Sequence, residues 1–258
     1  MPTSSTVLSA ASRTTPQFLS LEIAQRMAEK LEIVRLQPQK IAHLGELNLS
    51  VLAPHYPESD HHCFDKRFAT NVLQQLFKKI THQCFYKYQE PSTIGAADFD
   101  LIWSNLELHL QSNPEALMKE WKSKLKPEGL LMFSYFGPDT GKELKKLFAN
   151  DCLLRNAGSL DMHDVGDGLM QAGFSEPVMD MEYLTLSYED PHLLCKEAFN
   201  LGLLTSPDSQ QHLIEAESDL AITLEVVYGH AWAPDVLLSQ KKAGITTISP
   251  DQIVRSKK

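Results

Sequence analysis

Phe99-Asp100-Leu101-Ile102-Trp103-Ser104-Asn105-Leu106-Glu107-Leu108-His109, and after one helical segment Leu125-Lys126-Pro127-Glu128-Gly129-Leu130-Leu131-Met132-Phe133, are the two runs whose reading decides the fold. The first opens on a short apolar stretch, 99–104, of the length used by a strand buried on both faces. Asn113-Pro114 has the residue types that cap and open a helix, which the pattern carries to about Leu125. Pro127-Glu128-Gly129 then turns the chain into a second apolar strand over 130–136.

Working outward, the alternation of strand and helix persists. Upstream, Leu19, Ile23, Met27 and Leu31 recur every four residues with charges between them, which predicts an amphipathic helix over 18–33. Pro38 separates it from a short strand over 40–45. A segment holding Pro54 and Pro57 leads to a second strand ending near Asp65, a helix over 68–80, a strand over 82–88 and a turn at 89–93. Downstream, 164–172 and 191–201 read as helices, and 177–188 and 220–228 as long strands. The pattern implies an α/β fold: a Rossmann-like, doubly wound, mostly parallel sheet covered on both faces, with an antiparallel edge hairpin. One domain over 18–235 is expected, with an insertion at about 189–219, a disordered leader over 1–17 and a tail over 236–258. Ligands of this class sit beyond the carboxyl ends of the strands, where Gly45, Asp65, Ser104, Asn105, Leu106 and the stretch 136–140 would gather.

The totals narrow the partners. With 43% apolar and 22% charged residues the chain has an ordinary globular balance, and its net charge of -9 argues against nucleic acid, whose phosphates reward a basic face. Cys63, Cys84, Cys152 and Cys195 are scattered, with no C-x-x-C pair, as in a reducing cytoplasm. No apolar run approaches the ~18 residues of a membrane span. His55, His61, His62 and Cys63 invite a metal reading, but adjacent histidines on a strand point to opposite faces, so no metal is assigned.

The two opening runs resemble the FDLVxSNxxLH and LKPGGxLxF core of class I S-adenosylmethionine (SAM) methyltransferases. Further stretches narrow the resemblance: Phe136-Gly137-Pro138-Asp139-Thr140, Asp161-Met162-His163-Asp164-Val165-Gly166-Asp167, and Leu224-Glu225-Val226-Val227-Tyr228-Gly229-His230-Ala231-Trp232. These look like the BioC-type malonyl-ACP O-methyltransferase family, over roughly residues 18 to 232. The resemblance implies a SAM-dependent enzyme that methylates the free carboxylate of malonyl-ACP in biotin precursor synthesis. It carries the cofactor role to Gly45, Ser104, Asn105 and Leu106.

The family's first strand ends in D-x-G-x-G-x-G. Here the stretch is His43-Leu44-Gly45-Glu46-Leu47-Asn48-Leu49, in which one glycine survives. A leucine forced to φ > 0 there costs roughly 1–2 kcal/mol, and its side chain fills space meant for the ligand. Asp65 follows Gly45 by the separation at which such sites place a ribose-binding acid. The plainer reading of Asp65 is an acid opening a solvent-facing helix. An acid for the adenine has no clear equivalent in 89–97. The alternative function is therefore a catalytically degenerate member, a binding or assembly subunit that acts beside an active paralogue.

Methylating an ionised carboxylate needs no general base, so no catalytic residue is assigned. Tyr135, Asp139 and Thr140 are placed to shape the substrate pocket. Lys142, Lys145 and Lys146, with Arg155, offer a basic docking face for an acidic acyl carrier protein; a solvated helix face is the commoner origin of such a run.

Overall fold

The computed structural model describes residues 15–64, 86–89, 95–148, 160–204, 206 and 220–234. Seven strands, β1 (Lys40–Gly45), β2 (Asp60–Cys63), β3 (Tyr86–Tyr88), β4 (Phe99–Asn105), β5 (Leu125–Phe136), β6 (Ser175–Tyr188) and β7 (Leu220–Trp232), form one sheet in the order β3-β2-β1-β4-β5-β7-β6. The first five pair in parallel, and β7 runs antiparallel to both β5 and β6. The described helices are α1 (Gln17–Glu29), α2 (Leu49–Leu52), α3 (Pro114–Lys124), α4 (Leu144–Leu147), α5 (Met162–Gln171) and α6 (Pro191–Asn200).

Each element follows from local chemistry. In α1, Leu19, Ile23 and Met27 line one face and are buried, each burial worth roughly 1.5–3 kcal/mol. Outside that stripe, Arg26 pairs with Glu182 and Lys30 with Asp180 at 2.5 Å, tying the helix to the edge strand β6. The start of α3 is as expected: the Asn113 side chain accepts from the Ala116 N–H at 3.0 Å, and Pro114 takes the first turn.

Side chains on opposite faces of the sheet build two core layers. Leu101, Trp103, Leu130 and Met132 pack with α1 and α6, whereas Ile102, Leu131 and Phe133 pack with α3 and α5. A register irregularity between Phe99 and Leu101 moves Phe99 into the second layer, with Ile102.

Several strand limits differ from the sequence reading by a residue or two, and two differ by more. β5 begins at Leu125, because Phe99 already pairs there and Glu128 takes φ +61 to bend the ladder. β7 continues to Trp232, because Leu130 pairs with that residue. The expected antiparallel edge pair is present; α6 lies between its strands in sequence, and β7 inserts between β5 and β6. The helix expected over 68–80 lies outside the described residues. β1 and β4 are neighbours while their chains leave in opposite directions, which opens a crevice at their carboxyl ends.

Candidate functional site

The crevice is floored by the end of β1. Gly45 has φ +69, and a Cβ placed on it would lie 2.1 Å from the Asn105 carbonyl oxygen of β4. That same oxygen accepts from the Glu46 N–H at 2.8 Å. Gly45 is therefore required by the approach of two backbones, whatever ligand binds beside it. Leu47 and Leu49 are not among the described residues with positive φ. The strain expected of them is absent, because Asn48, at φ -126, leads directly into α2 and no left-handed turn is needed.

The three residues expected at the cofactor end of β4 lie together, and all are buried. Asn105 is held by a network: its amide donates to the Ser20 carbonyl of α1 at 3.0 Å, and its Oδ1 accepts from the Ser134 hydroxyl at 2.8 Å. Leu106 takes φ +56 and its N–H meets both the Ser134 oxygens at 3.1 Å. Asn48 also reaches the Ser20 carbonyl, at 3.4 Å. This cross-link fixes α1 over the strand ends.

Ser104 faces the other way and donates to Glu107 at 3.1 Å. Burial raises the Glu107 carboxyl above its ordinary value. Beside it lies a cavity of about 270 Å³ lined by Leu44, Phe64, Ile102, Leu117, Glu107 and Gln111. Asp65, the expected ribose ligand, lies outside the described residues.

His43 stands where the family has its leading acid, and its surroundings explain how a histidine fits. His61 Nε2 meets the Tyr56 carbonyl at 3.1 Å, which can only accept, so Nε2 carries the proton of neutral His61. His61 Nδ1 then accepts from His43 Nε2 at 2.9 Å. Burial holds the His43 ring well below the ordinary histidine pKa and lowers that of His61. His62 points to the opposite face, against Phe99, with its pKa lowered to about 4, chiefly by burial. Among the described residues no group of histidines, cysteines and carboxylates can hold a metal ion.

At the end of β5, the loop over 137–140 is clasped by β7. The Asp139 N–H donates to the Glu225 carboxylate at 2.6 Å, and the Thr140 hydroxyl bonds the Glu225 backbone on both sides. The Asp139 carboxylate accepts from the Tyr183 hydroxyl at 3.1 Å and lies 3.6 Å from Lys142. Tyr135 has no exposed surface; its ring stacks on Phe133 in the second core layer. Lys145 and Lys146 fall in α4, and Arg155 lies outside the described residues.

His109 lies in the single turn Leu108–Leu110 that follows β4. Its ring lies 4.7 Å from that of Phe136, and Nδ1 accepts from the Phe136 N–H at 3.4 Å. Burial alone lowers its pKa to about 3. Its position at the carboxyl end of the sheet was legible from the motif; its half-buried surroundings and fixed tautomer were not.

No family model matches the chain. Among solved structures, a Bacillus halodurans protein described as a methyltransferase aligns with TM-score 0.54 and 13% identity, over 82% of this chain and 99% of that one. The YcgJ protein of Bacillus subtilis aligns with TM-score 0.53 and 12% identity, over 84% and 99%. This strand order, with a crevice between β1 and β4, defines the class I SAM-dependent methyltransferase fold. Sequence relatives are more specific. Malonyl-(acyl-carrier protein) O-methyltransferase of Gallionella capsiferriformans is 34% identical over 259 residues, covering 90% of this chain and 89% of the relative. The enzymes so named in Methylovorus and Laribacter hongkongensis are 33% and 32% identical, each covering 84% of this chain and 83% of the relative. The chain belongs to the malonyl-ACP O-methyltransferase family.

Proposed function

We propose that the protein is a SAM-dependent O-methyltransferase whose substrate is the free carboxylate of a malonyl group carried on acyl carrier protein, in the cytoplasm. The observation that carries this reading is the near full-length match to relatives so named. The residues at the crevice fit the cofactor: Gly45 gives a close backbone turn at the end of β1, and the cavity beside Phe64 pairs apolar walls with the polar groups Glu107 and Gln111, which suits a flat purine base. Gly45 and the backbone of Ser104, Asn105 and Leu106 would hold SAM, with Asp65 at its ribose. No observation favours the degenerate alternative, since the leucines of the loop carry no positive φ.

When bound, SAM would supply an electrophilic methyl to the ionised carboxylate oxygen and leave as the neutral thioether, so no residue would need to take a proton. The chain's task is thus to align two groups and exclude water. The Asn105–Ser134–Ser20 network gives the rigidity that this needs, and the clasped loop at Asp139 and Thr140 forms a wall of the substrate pocket.

Lys142, Lys145, Lys146 and Arg155 are the basic residues that would dock the acidic carrier. Among the described residues no helix is long and apolar enough to cross a membrane. Incubation with SAM and malonyl-ACP, read by intact-mass spectrometry, should add one methyl group to the carrier-bound acyl chain. No transfer, together with no S-adenosylhomocysteine (SAH) binding by calorimetry, would overturn the proposal in favour of a non-catalytic subunit. Lys145→Glu with Lys146→Glu should weaken carrier binding, and an unchanged Kd would remove this docking face.

A further inference from the structure

Among the described residues, the carboxyl ends of β4 and β5 hold several polar groups that a substrate carboxylate could meet, and most are unsuited to it. Asp139 and Glu225 are acceptors and would repel it. The Thr140 hydroxyl is engaged with the Glu225 backbone. The Tyr135 hydroxyl and the Trp103 indole N–H are sealed in the core. Lys142 is turned to Asp139 and the Tyr183 ring.

His109 is different. The Phe136 N–H can only donate, so Nδ1 is the acceptor and the neutral ring carries its proton on Nε2. Nε2 makes no hydrogen bond among the described residues, nor is it one of the sealed, unpartnered atoms of the core, and the residue as a whole is half-buried. It is an open N–H donor of fixed tautomer at the end of the sheet where methyl donor and acceptor must meet.

We propose that His109, through Nε2–H, binds the malonyl carboxylate and holds one of its oxygens in line for methylation; this assignment rests on the function proposed above. A neutral donor suits the chemistry. It grips the anion by a charge-assisted hydrogen bond without the full counter-charge of a lysine or arginine, which would damp the nucleophile. It also does not protonate the carboxylate, because burial keeps the ring neutral at pH values where malonate is ionised, and no neighbouring charge adds to that effect. As the ester forms, the anion disappears and the grip weakens, which favours release of product over retention of substrate.

Two substitutions separate donation from packing. His109→Phe keeps a ring against Phe136 and removes the donor; His109→Gln keeps an N–H donor at a similar reach. Binding of malonyl-ACP and of its methyl ester would be measured by calorimetry in the presence of SAH, with SAH affinity itself as the control for an intact cofactor crevice. His109→Phe should weaken malonyl-ACP binding about ten- to a hundredfold, the usual worth of a hydrogen bond to a charged group, while leaving SAH and the methyl ester nearly unchanged. His109→Gln should recover most of the loss. Equal weakening of acid and ester, or unchanged binding of the acid in His109→Phe, would overturn the assignment. Failure of the unaltered protein to bind either carrier form would instead sink the malonyl reading, and this inference with it.

Discussion

Gly45→Ala tests the central geometric claim, that the end of β1 is shaped by the approach of β4. The added Cβ would sit 2.1 Å from the Asn105 carbonyl oxygen, a distance that real Cβ atoms do not tolerate, and a tight 3.0 Å from Cβ of Glu107, and the φ of +69 is itself unfavourable to alanine. The left-handed conformation costs roughly 1–2 kcal/mol. Relieving the clash requires the strand ends to part, which breaks the Glu46 N–H bond to Asn105, worth about 0.5–1.5 kcal/mol. The expected loss is thus about 2–3 kcal/mol, or roughly 4–12 °C in Tm for a domain of this size. Gly95→Ala is the matched control: nothing lies within 4 Å of its added Cβ and its φ is not positive, so it should be neutral or slightly stabilising. Urea titration with matched m-values would measure both. A Gly45→Ala protein within about 0.5 kcal/mol of the parent would refute the close approach. The variant also bears on function, since parting the strand ends displaces Asn105, and SAH affinity should fall with stability.

Stability should decline in acid. In the unfolded chain His43, His61, His62 and His109 take up protons near pH 6.5, whereas in the folded protein His62 waits until about pH 4 and His109 until about pH 3. Between those limits the unfolded state binds more protons, so stability is complete above the unfolded value and is lost progressively as pH falls below it. His62→Phe should flatten that slope, because it removes a ring whose two nitrogens are buried without partners; a slope unchanged in pH-dependent melts would show that His62 is not enclosed. Ser134→Ala should cost about 1–3 kcal/mol, by leaving Asn105 Oδ1 buried and unpaired, and should lower SAH affinity as Leu106 loses its anchor; a variant as stable as the parent in thermal melts would remove the network from the site.

The order of strands and helices was legible in the sequence because each described element carries its own local signal. Apolar residues every four positions made α1, Asn113-Pro114 opened α3, and short apolar runs between turn residues made β1 and β4. A one-dimensional pattern also brought Gly45, Ser104, Asn105 and Leu106 to one end of the sheet, since the carboxyl ends of parallel strands share an edge. What it could not convey was which atoms meet there. The reason for Gly45 lies 60 residues away, in the Asn105 carbonyl. The harmlessness of Leu47 and Leu49 depends on whether α2 starts in time to spare them positive φ, which is a property of the folded loop. His43 stands in place of an acid, and its fit there depends on His61, on the neighbouring strand, which supplies its hydrogen-bond partner. Likewise His109 has the same letter in the sequence whether it packs, titrates or donates, and only the Phe136 N–H beside it selects the tautomer. The sequence by itself determined the topology, because secondary structure and the burial of a sheet between helices depend on short-range pattern. Only the tertiary structure decided the donors, acceptors and charge states of the site, because those are set by contacts between residues distant in the chain.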